Sequence, residues 1–219
     1  LKTYDAIERA STTLEKAGID YALFKTLRPY PATTVDIDTI IFGSGREYRE
    51  AVAAMVDAGY RVLGSGPWST TVGDPLMDIG VDLYGEVAVS HIIYLDKVNL
   101  EGHVTKRALP SGGCVRTLSP AADLVSLLAH SVIKEHMYTL SEYYSFLIYL
   151  SRMSSNEVST FGRMMQENAI VKAARTHMTL SAALHEATHG KVPAKMRRLL
   201  LESGEDPFEK RRLGTEQFK

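Results

Sequence analysis

Apolar and polar positions in the first half of the chain change period repeatedly, and each change marks an element. Residues 4–17 carry apolar side chains at helical spacing and are closed by Gly18, after which Tyr21-Ala22-Leu23-Phe24-Lys25 reads as an apolar strand. A second strand over 35–42 is mostly β-branched on both faces and ends in Gly43-Ser44-Gly45. Ser44 and Glu47 have the spacing of a capping box, which predicts a helix over 46–58 stopped by Gly59. Short strands follow at 61–63, 69–72, 79–84 and 115–117, separated by turn residues such as Gly64-Ser65-Gly66-Pro67 and Gly73-Asp74-Pro75. Strands and helices mixed in this way predict a mixed sheet with helices packed on it.

From Ser119 onward the period is helical throughout. Ser119 and Pro120 suit an N-cap and a first helical position, and Leu124, Leu127, Leu128, Val132 and Ile133 keep helical spacing over 119–137. Further helices are predicted at 141–153, at 157–167 behind a second capping box of Ser154 and Glu157, at 170–189 and at 194–202. The fold class is α+β: a mixed β-sheet with flanking helices over 1–117, an all-helical C-terminal domain over 118–204, and a charged tail over 205–219.

Composition narrows the class. A chain of 219 residues, 45% hydrophobic and 23% charged, can bury a substantial core. The formal net charge of -1, with both signs interleaved, argues against a polyanion wrapped around the surface. The single cysteine, Cys114, excludes an internal disulfide framework and a Cys-rich zinc site. No apolar run approaches the roughly 20 residues of a bilayer crossing, and no signal-like stretch opens the chain, so the expectation is a cytoplasmic protein without membrane contact. A homo-oligomer is compatible with these numbers.

Candidate chemistry centres on carboxylates. Side chains alternate along a strand, so Asp36 and Asp38 point one way while Val35, Ile37 and Thr39 point the other. Two like charges so close become favourable when a divalent cation sits between them, and Mg2+ (or Mn2+) suits oxygen ligands of this kind. A third carboxylate on a neighbouring strand completes such a site or serves as a base. Asp82, in Gly80-Val81-Asp82-Leu83-Tyr84, is the first choice and Asp78, on the same parity, the second.

These residues together resemble a known family. Tyr21 to Lys25, a loop of about ten residues, Asp36-Ile37-Asp38 with Ile40-Ile41-Phe42, a helix ending at Gly59-Tyr60, and Val81-Asp82-Leu83 look like a polymerase-beta-type nucleotidyltransferase domain over roughly 1–118. Within that superfamily the chain resembles an uncharacterised group of bacterial and archaeal nucleotidyltransferases in which a helical region follows the catalytic sheet. Leu118-Ser119-Pro120-Ala121-Ala122-Asp123-Leu124 through His130 and His136 extend the likeness weakly to about residue 150. The resemblance implies metal-dependent transfer of a nucleoside monophosphate from a nucleoside triphosphate to an unknown acceptor, whether small molecule, protein or RNA. Asp36 and Asp38 are then metal ligands and Asp82 a third ligand or base.

Where the family has a Gly-Ser turn that holds the triphosphate, this chain has Lys25-Thr26. Thr26 offers a hydroxyl and Lys25 or Arg28 a positive charge, but side chains there block close backbone approach. A catalytically degenerate binding or regulatory module on the same fold is therefore the first alternative. A zinc metallopeptidase is another, since His185-Glu186-Ala187-Thr188-His189 matches the H-E-x-x-H pattern. Against it, Gly190 ends the helix and only Glu202 and Glu205 are near enough in sequence to be a third ligand. His130 and His136, six apart, fall on different sides of a helix and read as packing rather than catalytic residues.

Overall fold

The computed structural model describes residues 2–32 and 34–204, so the expected tail over 205–219 lies outside the described residues. The order is α1 (Lys2–Lys16), β1 (Tyr21–Leu23), β2 (Asp36–Ile41), α2 (Gly45–Asp57), β3 (Arg61–Ser65), β4 (Ser69–Gly73), β5 (Gly80–Tyr84), β6 (Val87–Val89), β7 (Ile92–Leu95), α3 (Lys97–Glu101), β8 (Val104–Ala108) and β9 (Cys114–Leu118). Helices follow: α4 (Pro120–Ala129), a π-helical turn (His130–Lys134), α5 (Leu140–Arg152), α6 (Ser155–Glu167), α7 (Val171–His189) and α8 (Ala194–Glu202). The α+β class holds, and the seven-stranded sheet, in the order β3-β4-β5-β2-β1-β9-β8, is mixed. Strand β2 runs parallel to β5 and β1 parallel to β9, the remaining pairs being antiparallel.

Strand parity decides what each face meets. Tyr21, Leu23, Ile37, Ile41, Val81 and Leu83 form one face and pack with Ile7, Leu14 and Met55 of α1 and α2. Ala22, Phe24, Ile40, Phe42 and Tyr84 form the other and share a core with Leu124, Leu128, Phe146 and Phe161 of the helical region. Fully burying one such side chain contributes about 2 kcal/mol, so the C-terminal helices are held on the sheet by apolar contact. Asp36, Asp38 and Asp82 have the parity of this second face. They sit at its uncovered end.

Both predicted capping boxes form, Ser44 with Glu47 and Ser154 with Glu157, and a third, Thr139 with Glu142, starts α5. Three differences from the sequence pattern have physical reasons. The first predicted strand stops at Leu23, because Lys25 turns to a left-handed φ of 60° and gives its N–H to a side chain rather than to the ladder. The hairpin β6-β7, helix α3 and edge strand β8 were not anticipated; each spans only three to five residues, and β8 reads Val-Thr-Lys-Arg-Ala, a polar edge that no core face imprints. The helix expected over 119–137 breaks at Ala129 into the π turn, and π turns of this kind concentrate at functional sites.

His177 of α7 is buried 1% exposed, with Nδ1 3.2 Å from the Ser131 hydroxyl and its ring against Tyr138 and Phe146. Burial pulls its pKa from the usual 6.5 to about 4, the nearby Glu142 only partly opposing the shift. The unfolded chain therefore takes up this proton below about pH 6.5 while the folded protein resists it until about pH 4. The contribution is complete above pH 6.5 and fades as pH falls to 4, amounting to about 3 kcal/mol in all. Urea unfolding at steps between pH 7 and 4.5 should show a shallower loss of stability for His177→Gln than for the parent; parallel curves would refute this assignment.

Candidate active site

Register brings the carboxylates together. The parallel pairing of β2 with β5 sets Asp38 opposite Asp82, and Asp36 lies two residues back on the same face. One ligand oxygen from each of Asp36, Asp38 and Asp82 falls within 4.8 Å of the others, and among the described residues no other group of three potential metal ligands does so. Asp82 is oriented from the next strand, where the Thr71 hydroxyl donates to its Oδ1 at 2.5 Å. Asp78 is exposed in the turn before β5, outside this cluster. Burial first, and then the negative charges of Asp38 and Asp82, push the Asp36 carboxyl above its ordinary range. Three converging acids with this strain fit a cation.

The loop between β1 and β2 places the basic side of the site. The Lys25 N–H donates to Asp123 Oδ1 of α4 at 2.6 Å, and its side chain turns inward so that Nζ lies 3.1 Å from Asp38 Oδ1 and 3.0 Å from His130 Nδ1. Burial pulls the Lys25 amine below the usual lysine range, and the Asp38 carboxylate works against that pull. Thr26 is buried, and its hydroxyl accepts from the Asp38 N–H at 2.9 Å and reaches the Phe24 carbonyl at 3.2 Å. That hydroxyl is committed to holding Asp38. Arg28 faces the cleft 3.9 Å from the Glu142 carboxylate, while Arg107 anchors the loop by donating to the Leu27 and Arg28 carbonyls.

The helical region supplies the opposite wall. His130 and Lys134 of the π turn, with Glu135, Ser141 and Glu142 beyond it, line a cleft of about 360 Å³ whose other wall includes Asp36, Asp38, Lys25 and Arg28. That volume falls within the range of small-ligand sites. Burial and the positive charges of Lys25, Lys134 and Arg28 hold His130 far below the usual histidine range, so its ring is neutral. Nδ1 then accepts from Lys25, and the ring proton on Nε2 faces the Glu135 carboxylate at 3.3 Å.

No known protein family matches the chain, and no curated protein matches it in sequence. Solved structures do resemble it. ANT(2")-Ia in complex with adenylyl-2"-tobramycin matches with a TM-score of 0.54 over 74% of this chain and 95% of its own, at 13% identity. The solution structure of ANT(2'')-Ia gives 0.53 over 85% and 96%, at 14% identity, and the lincomycin-bound lincosamide antibiotic adenylyltransferase LnuA gives 0.50 over 68% and 97%, at 10% identity. The chain shares its fold with these antibiotic nucleotidyltransferases.

On this nucleotidyltransferase fold the sequence-predicted residues Asp36, Asp38, Lys25 and Arg28 line one cleft, Asp82 joins the two aspartates from the neighbouring strand, and the Thr26 hydroxyl holds the Asp38 N–H. His185 and His189, by contrast, lie on α7 with rings stacked 4.3 Å apart, and His185 Nδ1 is engaged by the Tyr143 hydroxyl at 2.9 Å. Glu202 is paired with Arg198, Glu205 lies outside the described residues, and among the described residues no third ligand joins the two histidines. Sequence reasoning missed His130, Lys134, Asp123 and Thr71. Their only local signal was a buried-type aspartate and a histidine on the apolar helix 119–137.

Proposed function

We propose that the chain is a metal-dependent nucleotidyltransferase that passes a nucleoside monophosphate from a nucleoside triphosphate to a small-molecule acceptor. The observation that carries this reading is the convergence of Asp36, Asp38 and Asp82 within 4.8 Å at a cleft of the nucleotidyltransferase fold. Asp36, Asp38 and Asp82 would hold the Mg2+ or Mn2+, which when bound neutralises phosphate charge and favours in-line displacement. Lys25 and Arg28 face the triphosphate from the β1-β2 loop and Lys134 from the π turn, giving charge where a glycine turn would give backbone N–H groups. Thr26 holds the Asp38 backbone N–H, Lys25 Nζ engages the Asp38 carboxylate and Thr71 the Asp82 carboxylate, so neither carboxylate has to be ordered when substrate arrives.

In the transfer itself an acceptor hydroxyl oxygen attacks the α-phosphorus, its proton passes to Asp82, and pyrophosphate leaves. Residues 1–117 thus carry the carboxylates and most of the phosphate contacts, and the segment 118–204 adds Lys134 and supplies the acceptor wall, with Ser141, Glu135 and Glu142 as polar contacts. ANT(2")-Ia and LnuA are structures with tobramycin-derived and lincomycin ligands, which makes hydroxylated antibiotics the first acceptors to try. Incubation with each α-labelled nucleoside triphosphate, Mg2+ and a panel of aminoglycosides, lincosamides and other polyols should yield a labelled acceptor and pyrophosphate, both abolished by EDTA. Failure to bind any nucleoside triphosphate in the presence of Mg2+ would sink the reading.

A further inference from the structure

The Lys25 side chain is placed as no mere phosphate contact needs to be. It is buried to 5% exposure, its Nζ lies 3.1 Å from Asp38 Oδ1, and Nζ lies over two rings, 4.5 Å from the Phe24 centroid and 5.4 Å from that of Tyr84. The rings and the His130 Nδ1 at 3.0 Å enclose the amine, and the Asp38 carboxylate is the charge that pairs with it. The backbone is set in a left-handed conformation, φ 60°, that costs a lysine free energy and would cost a glycine almost none. Asp123 holds it there through the Lys25 N–H. The chain therefore keeps a strained position in order to present this amine to Asp38.

Two-metal sites place their ions about 3.5–4 Å apart, sharing carboxylates whose oxygens are divided between them. An amine at Asp38 Oδ1 takes one of those oxygens and supplies positive charge where a second ion would stand. We propose, on the basis of the nucleotidyltransferase reading above, that Lys25 is a resident cation of the site, so that the three carboxylates take one divalent ion and not a pair. The remaining Asp38 oxygen, with Asp36 and Asp82, forms the set that binds it.

The test counts ions and does not depend on turnover. The full chain, free of nucleotide, is titrated with MnCl2 while free Mn2+ is followed by its electron paramagnetic resonance signal. The parent is expected to bind one Mn2+; Lys25→Met, and Lys25→Gln as a variant that keeps a hydrogen-bond donor in the cage, are expected to bind two, the first more tightly by about tenfold or more once the competing charge is gone. Circular dichroism confirms folding of each variant first. Two Mn2+ on the parent overturn the proposal, even if neither variant folds. So does one ion at unchanged affinity on both variants. If neither parent nor variants bind Mn2+, the carboxylate reading itself has failed and the role of Lys25 falls with it.

Discussion

Asp36→Asn is expected to lower nucleotidyl transfer by about 10³-fold or more while leaving the metal-free protein at least as stable as the parent. The opposite signs follow from the geometry. Asp36 is crowded by Asp38 and Asp82 within 4.8 Å, and burial adds to the cost of its charge, so without a cation the carboxylate is a local liability. Asparagine keeps the shape and removes the repulsion. With substrate and cation present the same charge becomes useful, because it offsets the positive ion and fixes its position against the phosphates. Asp36 is a cleaner target than Asp38, whose replacement would also strand the buried Lys25 amine. Paired measurements of initial rate and of thermal unfolding, with and without Mg2+ and nucleotide, check both halves. Activity within tenfold of the parent would remove Asp36 from the metal set.

Asp123→Ala should destabilise the protein by about 3 kcal/mol in urea unfolding at neutral pH, among the larger effects of any single change here. Asp123 is 3% exposed in α4 and accepts hydrogen bonds from the Lys25 N–H at 2.6 Å and the Tyr149 hydroxyl of α5 at 2.5 Å. Removing the carboxylate leaves the buried Lys25 N–H without a partner, leaves the Tyr149 hydroxyl only its longer bond to the Leu27 carbonyl at 3.4 Å, and releases the strained Lys25 turn. Asp123→Asn keeps one acceptor oxygen and should lose less. A loss below about 1 kcal/mol for the alanine variant would mean that the turn is held by other contacts, chiefly those of Arg107 with the Leu27 and Arg28 carbonyls.

These two residues also divide what could be read from the chain. Asp36 and Asp38 were legible because alternation is local: a strand of β-branched residues fixes which side chains share a face before any partner strand is known. The Ser44-Glu47 and Ser154-Glu157 caps were legible for the same reason, since both partners of each bond lie within one helical turn. Asp123 carried no such mark. It is an aspartate on an apolar helix, and its meaning lies in a bond to Lys25, 98 residues away in sequence. His130, 105 residues from Lys25, reads from sequence as a packing histidine and from structure as the neutral acceptor of the Lys25 amine.

What the sequence determined by itself was the class of fold, the carboxylate pair and its parity with Ile40 and Phe42, all set by short-range periodicity and capping. Tertiary structure alone decided that Asp82 and not Asp78 completes the cluster, because that choice rests on the β2-β5 register. It alone decided that the Thr26 hydroxyl turns inward to Asp38, and that Lys25 faces a carboxylate in a cage built by the π turn. Such contacts are set by how apolar faces dock the helices on the sheet, and a one-dimensional pattern specifies the faces but not the side chains that meet across them.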